Sequence, residues 1–310
     1  MKRKICILGA NGFIGQSVCK YLSELNNSVL AIVRDKKFFL NLKNIKYHEV
    51  KNFNDKNLWK SLLKDYDCIV HCAGKANLPE NLNDCEKYNS ENFINIENIA
   101  EQASKVGVKR IIYLSSIKIY GKTTYIDHNQ PPEAQSFYAI SKLRSEKALT
   151  EISLRFDLEP VIIRIPLVYG HGAKGNAAKL VKIVKLGVPL PLGTVNNKRS
   201  MIGIDNLIDL IIRCIDAPEA NGKTFLASDG KDLSTPELIR LIASSVGKKA
   251  NLFPFPIFML KFLSSIFGRR KEINKLVGSL RVDNSYTKKI LDWSPPISVE
   301  EGIRRMVQVK

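Results

Sequence analysis

The chain has 310 residues, 45% hydrophobic and 25% charged, which suits a folded protein of one or two domains and excludes a disordered or fibrous one. Lysine and arginine total 48 against 30 aspartates and glutamates, for a net charge of +18. The basic residues are spread along the chain without interleaved aromatics, which argues against nucleic acid; composition bias is the first reading, and attraction to anionic substrates or an acidic membrane surface the other.

The first apolar run begins at residue 4, with no h-region and small-residue cleavage site, so no signal peptide is read and a cytoplasmic location is expected. Strand-like runs are predicted at 4–8, 28–33, 45–50, 68–71, 110–114 and 160–165. Amphipathic stretches separate them, among them 14–25, 58–64, 84–105 and 138–156. This alternation predicts βαβ units, hence an α/β fold: a Rossmann-type, doubly wound parallel sheet spanning residues 1–170. Past Gly170 the rhythm breaks. "HGAKGNAAKLVKIVKLGVPLPLG" reads as loop, helix and turn, and "STPELIRLIASSVG" as a capped helix start, so 171–310 is expected to be mainly a smaller, mixed substrate-binding lobe. Some later segments are expected to return to the first domain. Residues 252–271, "LFPFPIFMLKFLSSIFGRRK", are the most apolar stretch, yet too short and interrupted to span a bilayer. A partly buried lobe helix is the first reading; weak association with a membrane surface is the other.

Six scattered cysteines (6, 19, 68, 72, 85 and 214) read as buried reduced thiols. Cys68 and Cys72 flank His71, but no second ligand pair exists, so no metal is expected.

In "ICILGANGFIG", Gly9, Gly12 and Gly15 lie between the first strand and first helix. They would provide a tight turn, close approach of a pyrophosphate, and close helix packing, with the helix N-terminus facing the phosphate. The second strand ends "VLAIVRD": Val33 stands where an NAD-selective acid would meet the ribose, and Arg34 could pair with a 2′-phosphate. NADP(H) is therefore favoured, with NAD(H) also accommodated. "DCIVHCAG" and "YLSSIKIYG" end two further strands, and "SFYAISK" sets Tyr138 and Lys142 four residues apart on one helix face.

Together, Gly9-x-x-Gly12-x-x-Gly15, Ala73-Gly74, Ser116 and Tyr138-x-x-x-Lys142 resemble the extended short-chain dehydrogenase/reductase family, in its NAD-dependent epimerase/dehydratase branch for nucleotide sugars. "IRIPLVYG" and "LDWSPPISVEEGIRR" extend the likeness over essentially the whole chain. It is nearest to a bacterial subgroup often described as UDP-glucose 4-epimerase-like. That subgroup includes reductases forming UDP-N-acetylquinovosamine for O-antigen synthesis.

The resemblance implies that Tyr138 is the acid/base, Lys142 its activator and ribose partner, and Ser116 the hydroxyl orienting the sugar oxygen. It further implies a cofactor cradle of Gly9, Asn11, Gly12, Phe13, Ile14, Gly15, Arg34, Asn52, Ala73, Gly74, Lys75, Tyr138, Lys142 and Ile165. Asn176, Arg199 and Arg281 would meet the substrate's diphosphate or uridine, and helices 84–105 and 138–156 would form a homodimer interface.

Three positions depart from the family's pattern. Leu167 replaces an asparagine of many 4-epimerases, Asn52 replaces an adenine-binding aspartate, and Val33-Arg34 replaces the acidic ribose contact. Ile117 and Lys118 follow Ser116, without the Asp-Glu pair of 4,6-dehydratases. The expected activity is a 4-keto reductase taking UDP-4-keto-6-deoxy-N-acetylglucosamine to UDP-N-acetylquinovosamine. A UDP-sugar 4-epimerase with tightly bound NAD is the alternative, and a non-catalytic NADP-binding regulator a minor one. Lys142 and a nicotinamide's positive charge are expected to lower the Tyr138 pKa.

Overall fold

In a computed structural model of the chain, residues 3–35, 41–74, 86, 88–173 and 175–308 are described. The strands are β1 (Lys4–Leu8), β2 (Ser28–Val33), β3 (Ile45–Glu49), β4 (Cys68–His71), β5 (Arg110–Ser116), β6 (Tyr125–Ile126), β7 (Glu159–Ile165), β8 (Leu167–Tyr169), β9 (Met201–Gly203), β10 (Thr224–Leu226) and β11 (Arg281–Val282). Seven of them form one sheet in the order β10-β7-β5-β4-β1-β2-β3, and every pairing in it is parallel.

Alternate side chains of each strand enter different cores, as the two-residue period of a strand requires. Ile5 and Ile7 pack with α1 (Phe13–Glu24) and α6 (Ile204–Asp216) through Val18, Leu22, Leu207 and Ile211. Cys6 and Leu8 face the other way, toward α2 (Lys56–Leu63), α3 (Asn95–Lys105) and α4 (Phe137–Arg155). Helices on both faces make the sheet doubly wound. A separate core, among Tyr169, Val184, Leu233, Ile239 and Ile303, joins α5 (Asn176–Leu186), α7 (Thr235–Ser245) and α11 (Val299–Val307).

Residues 84, 85 and 87 of the expected helix 84–105 lie outside the described residues. The described part opens with a π-helical stretch, Asn89–Ile94, before α3. The stretch 252–271 gives α8 (Ile257–Ile266) and the start of α9 (Arg270–Val277), followed by α10 (Ser285–Leu291). Along α8 only Leu260 and Ser264 are buried, so the helix is far more exposed than a lobe-core helix would be. Among the described residues, no helix is long and apolar enough to cross a membrane.

Candidate active site

The carboxyl ends of β1, β4, β5 and β7 meet at one crevice, where open α/β sheets bind their ligands. At β1 the chain turns through Gly9, at φ +78°, and a Cβ there would stand 2.7 Å from the backbone nitrogen of Ala73 at the end of β4. A Cβ on Gly15 would lie 2.2 Å from the Gly9 carbonyl oxygen, so α1 reaches the strand only with glycine there. At Gly12 the space for a Cβ is bounded, among the described residues, only by that same oxygen at 3.2 Å. Gly12 is the N-cap of α1, without a side-chain cap, and the first turn carries no acid. The N–H groups and positive end of α1 thus face the crevice uncompensated, which fits the pyrophosphate of a dinucleotide.

On the far wall, Ser136 caps α4, its Oγ accepting from the Ala139 N–H at 3.2 Å, a bond contributing about 1 kcal/mol. The cap fixes the first turn, which carries Tyr138. The Tyr138 phenol lies beside the Ser116 side chain at the last residue of β5. Burial pushes the phenol up to about 12, with the neighbouring Ser116 hydroxyl opposing and Tyr88, its ring 5.8 Å away, adding to the rise. This differs from the lowering expected of Lys142, and geometry gives the reason. The Lys142 ammonium donates to the Leu114 carbonyl at 2.9 Å and stands 4.6 Å from the Tyr113 ring centroid. Burial pulls Lys142 down to about 8, with Glu146 and Cys72 holding it up. A Cβ on Gly74 would come within 3.2 Å of that ammonium, so the bare backbone after β4 makes room for it.

The structure therefore brings Ser116, Tyr138, Lys142, Gly74, Ala73 and the glycine turn together. Ser115 points elsewhere, its buried Oγ lacking a partner among the described residues. Ile165 ends β7 and pairs with Ser116. Asn11 lends its carbonyl to the Gln16 side chain at 3.1 Å, and the Phe13 carbonyl accepts from Ser17 Oγ at 3.0 Å; Phe13 and Ile14 are half-buried at the helix mouth. The Arg34 guanidinium lies 5.4 Å from the Phe53 ring centroid, beside the end of β2. The Asn52 side-chain Oδ1 accepts from the Asn54 N–H at 3.0 Å. Arg199 and Arg281 are engaged in the lobe: Arg199 donates to the Lys275 carbonyl near the end of α9, and Arg281 pairs with Asp232 at 2.7 Å. Lys75 lies outside the described residues; Asn176 begins α5, and its side chain is likewise outside the description.

Residues 5–227, from within β1 to just past β10, match the NAD dependent epimerase/dehydratase family. The chain belongs to that family. It is 36% identical over 318 residues to a UDP-glucose 4-epimerase of Vibrio cholerae, covering 99% of this chain and 95% of that protein. An N-acetyl-alpha-D-glucosaminyl-diphospho-ditrans,octacis-undecaprenol 4-epimerase of Escherichia coli O157:H7 is 24% identical over 330 residues, with 99% and 95% covered. The crystal structure of a UDP-glucuronic acid 4-epimerase from Bacillus cereus in complex with NAD shares the fold, with a TM-score of 0.79 at 20% identity over 98% of this chain and 95% of that one.

In this epimerase/dehydratase-family enzyme, two neighbours of Tyr138 and Lys142 escaped the sequence reading. The Lys118 ammonium stands over the Tyr138 ring; its place two residues after Ser116 was the available signal. The other is a buried brace behind α4, in which Arg164 pairs with Glu146 at 2.7 Å and donates to the Tyr120 hydroxyl at 2.5 Å. Residues 18 and 44 apart carry no local signal of such a contact.

Proposed function

We propose that this enzyme reduces the C4 ketone of a UDP-linked sugar, in the reading UDP-4-keto-6-deoxy-N-acetylglucosamine to UDP-N-acetylquinovosamine, with NADP(H) favoured and NAD(H) accommodated. The observation carrying the reading is the placement of the Tyr138 phenol beside Ser116 at the crevice, one helical turn from a buried Lys142. A bound nicotinamide would supply the hydride. Tyr138 gives its proton to the C4 oxygen as the ketone becomes an alcohol, and Ser116 holds the same oxygen where charge develops. Lys142 is protonated below about 8 and keeps its positive charge at the Leu114 carbonyl, one helical turn along from the phenol. Val33, buried at the end of β2 with Arg34 next to it, supports the NADP(H) preference.

The diphosphate would lie between the crevice and the lobe, within reach of Arg199 and Arg281. The Vibrio and Escherichia relatives are named for sugars carried on a diphosphate, which supports a diphosphate-linked substrate. The Vibrio relative also favours a second reading, a UDP-sugar 4-epimerase in which the same three side chains take the proton away and return it.

Incubation of the purified protein with NADPH and UDP-4-keto-6-deoxy-N-acetylglucosamine separates the two. Stoichiometric oxidation of the cofactor supports the reductase. No oxidation, with NAD retained through purification and UDP-hexoses interconverted, overturns it in favour of the epimerase.

A further inference from the structure

Helix α8 carries two adjacent rows of apolar side chains. Phe258, Phe262 and Ile266 form one row, 73%, 67% and 64% exposed; Met259, Leu263 and Phe267 form the next, with Phe267 74% exposed. At about 100° per residue these rows cover roughly half the helix circumference. The remaining surface docks onto the lobe through Leu260 and Ser264 or carries Lys261, which is exposed. So broad an apolar face in solvent is rare on a protein acting alone.

Its surroundings select the occupant. Arg269 and Arg270 follow immediately, both exposed, where the chain turns into α9. The whole chain carries +18. Two copies pairing through α8 would bring two strongly basic bodies and two arginine-bearing ends together, an unfavourable match. An anionic lipid surface complements both features at once: apolar side chains enter the boundary between headgroups and acyl chains, and the arginines meet the headgroup phosphates. At 10 residues α8 is about 15 Å long, enough to lie on a bilayer and too short to cross its roughly 30 Å core.

We propose that α8 is a membrane-docking element that seats the enzyme on an anionic bilayer surface. The α8–α9 unit is also the one to which Arg199 is tied, through the Lys275 carbonyl. Docking would therefore place the substrate lobe next to the lipid. The proposal is independent of which sugar reaction the enzyme performs, and its test needs no substrate.

The full-length protein is sedimented with phosphatidylcholine vesicles, with and without phosphatidylglycerol. Wild type should bind the anionic vesicles and remain in the supernatant with the neutral ones at moderate salt. F258S/F262S/F267S should lose vesicle binding while keeping its melting temperature and dinucleotide affinity. R269E/R270E should lower partitioning by roughly tenfold or more. As a second measurement, F262W should show a blue-shifted emission, quenched by brominated lipid, only with anionic vesicles. Absence of wild-type binding would overturn the proposal. So would equal binding by the triple serine variant, which would leave bulk charge as the cause. A fall from dimer to monomer mass in that variant, without any vesicle binding by wild type, would assign the face to a second copy instead.

Discussion

The Lys118 ammonium stands 5.0 Å from the centroid of the Tyr138 ring, so the phenol has a cation over its face as well as a serine at its hydroxyl. An exposed cation–π contact contributes about 0.5–1 kcal/mol, and the positive charge favours the phenolate. Lys118→Met should therefore lower kcat by roughly threefold and move any phenol-dependent limb of the pH–rate profile upward. A profile and a kcat matching wild type would remove Lys118 from the site.

Tyr138→Phe deletes the proposed proton donor and little else. Turnover should fall by roughly 10²–10⁴-fold while dinucleotide affinity, measured by titration, stays near wild type. Near-normal turnover would assign the proton transfer to another group.

The two serines at the end of β5 make a paired control. Ser116 lies beside the Tyr138 phenol, whereas the Ser115 hydroxyl is buried without a partner among the described residues. Ser116→Ala should cost roughly 10² in kcat. Ser115→Ala should leave kcat unchanged and, by removing an unsatisfied polar atom, preserve or slightly raise stability. The reverse pattern would exchange their roles.

Burial holds Lys142 at about 8 against an ordinary 10.5. The folded state thus binds fewer protons than the unfolded chain between these values. The cost to stability is complete below about 8 and is relieved as pH rises toward 10.5. The gap corresponds to roughly 3 kcal/mol, partly offset by the hydrogen bond to Leu114. Lys142→Met should inactivate the enzyme yet stabilise it by roughly 2 kcal/mol in urea unfolding at pH 7, with the advantage shrinking above pH 8. A destabilised variant would mean that the Leu114 bond outweighs the burial of charge.

Gly15→Ala forces a Cβ to within 2.2 Å of the Gly9 carbonyl oxygen. The helix must retreat from the turn, which should cost roughly 2 kcal/mol of stability. Dinucleotide affinity should fall more than stability alone explains, because the N–H groups of α1 move with it. Calorimetric titration and a thermal melt on the same sample separate the two effects.

What the sequence made legible was local. β1, the glycine turn and α1 are consecutive, and their spacing carries both the fold and the phosphate geometry. The offset of four between Tyr138 and Lys142 likewise lies within one helix. Contacts across long separations were not readable: Lys142 reaches the Leu114 carbonyl 28 residues away, and Arg199 reaches Lys275 across 76. The π-helical stretch at Asn89–Ile94 was missed because apolar periodicity alone suggests an ordinary helix there. It is held by tertiary bonds, with Asn92 donating to Ser141 Oγ at 3.1 Å and Ser145 donating to the Asn92 carbonyl. The exposure of α8 was hidden for the opposite reason. Its composition looks like core, and composition does not say which elements have no neighbour.

The edge strand β10 enters the sheet beside β7, and α6 covers the face shared by Ile5, Val70 and Val161. The carboxyl end of α6 is clasped by Arg110 at the start of β5, whose guanidinium donates to the carbonyls of Cys214, Ile215 and Ala217. Residues 204–226 thus finish a structure begun 200 positions earlier. During synthesis, the nucleotide-binding half cannot close its sheet until most of the chain has left the ribosome. A fragment cut at Gly170 would expose β7 as a bare edge and leave one face uncovered, making it prone to aggregation. A fragment meant to carry the complete sheet would therefore have to run at least through β10.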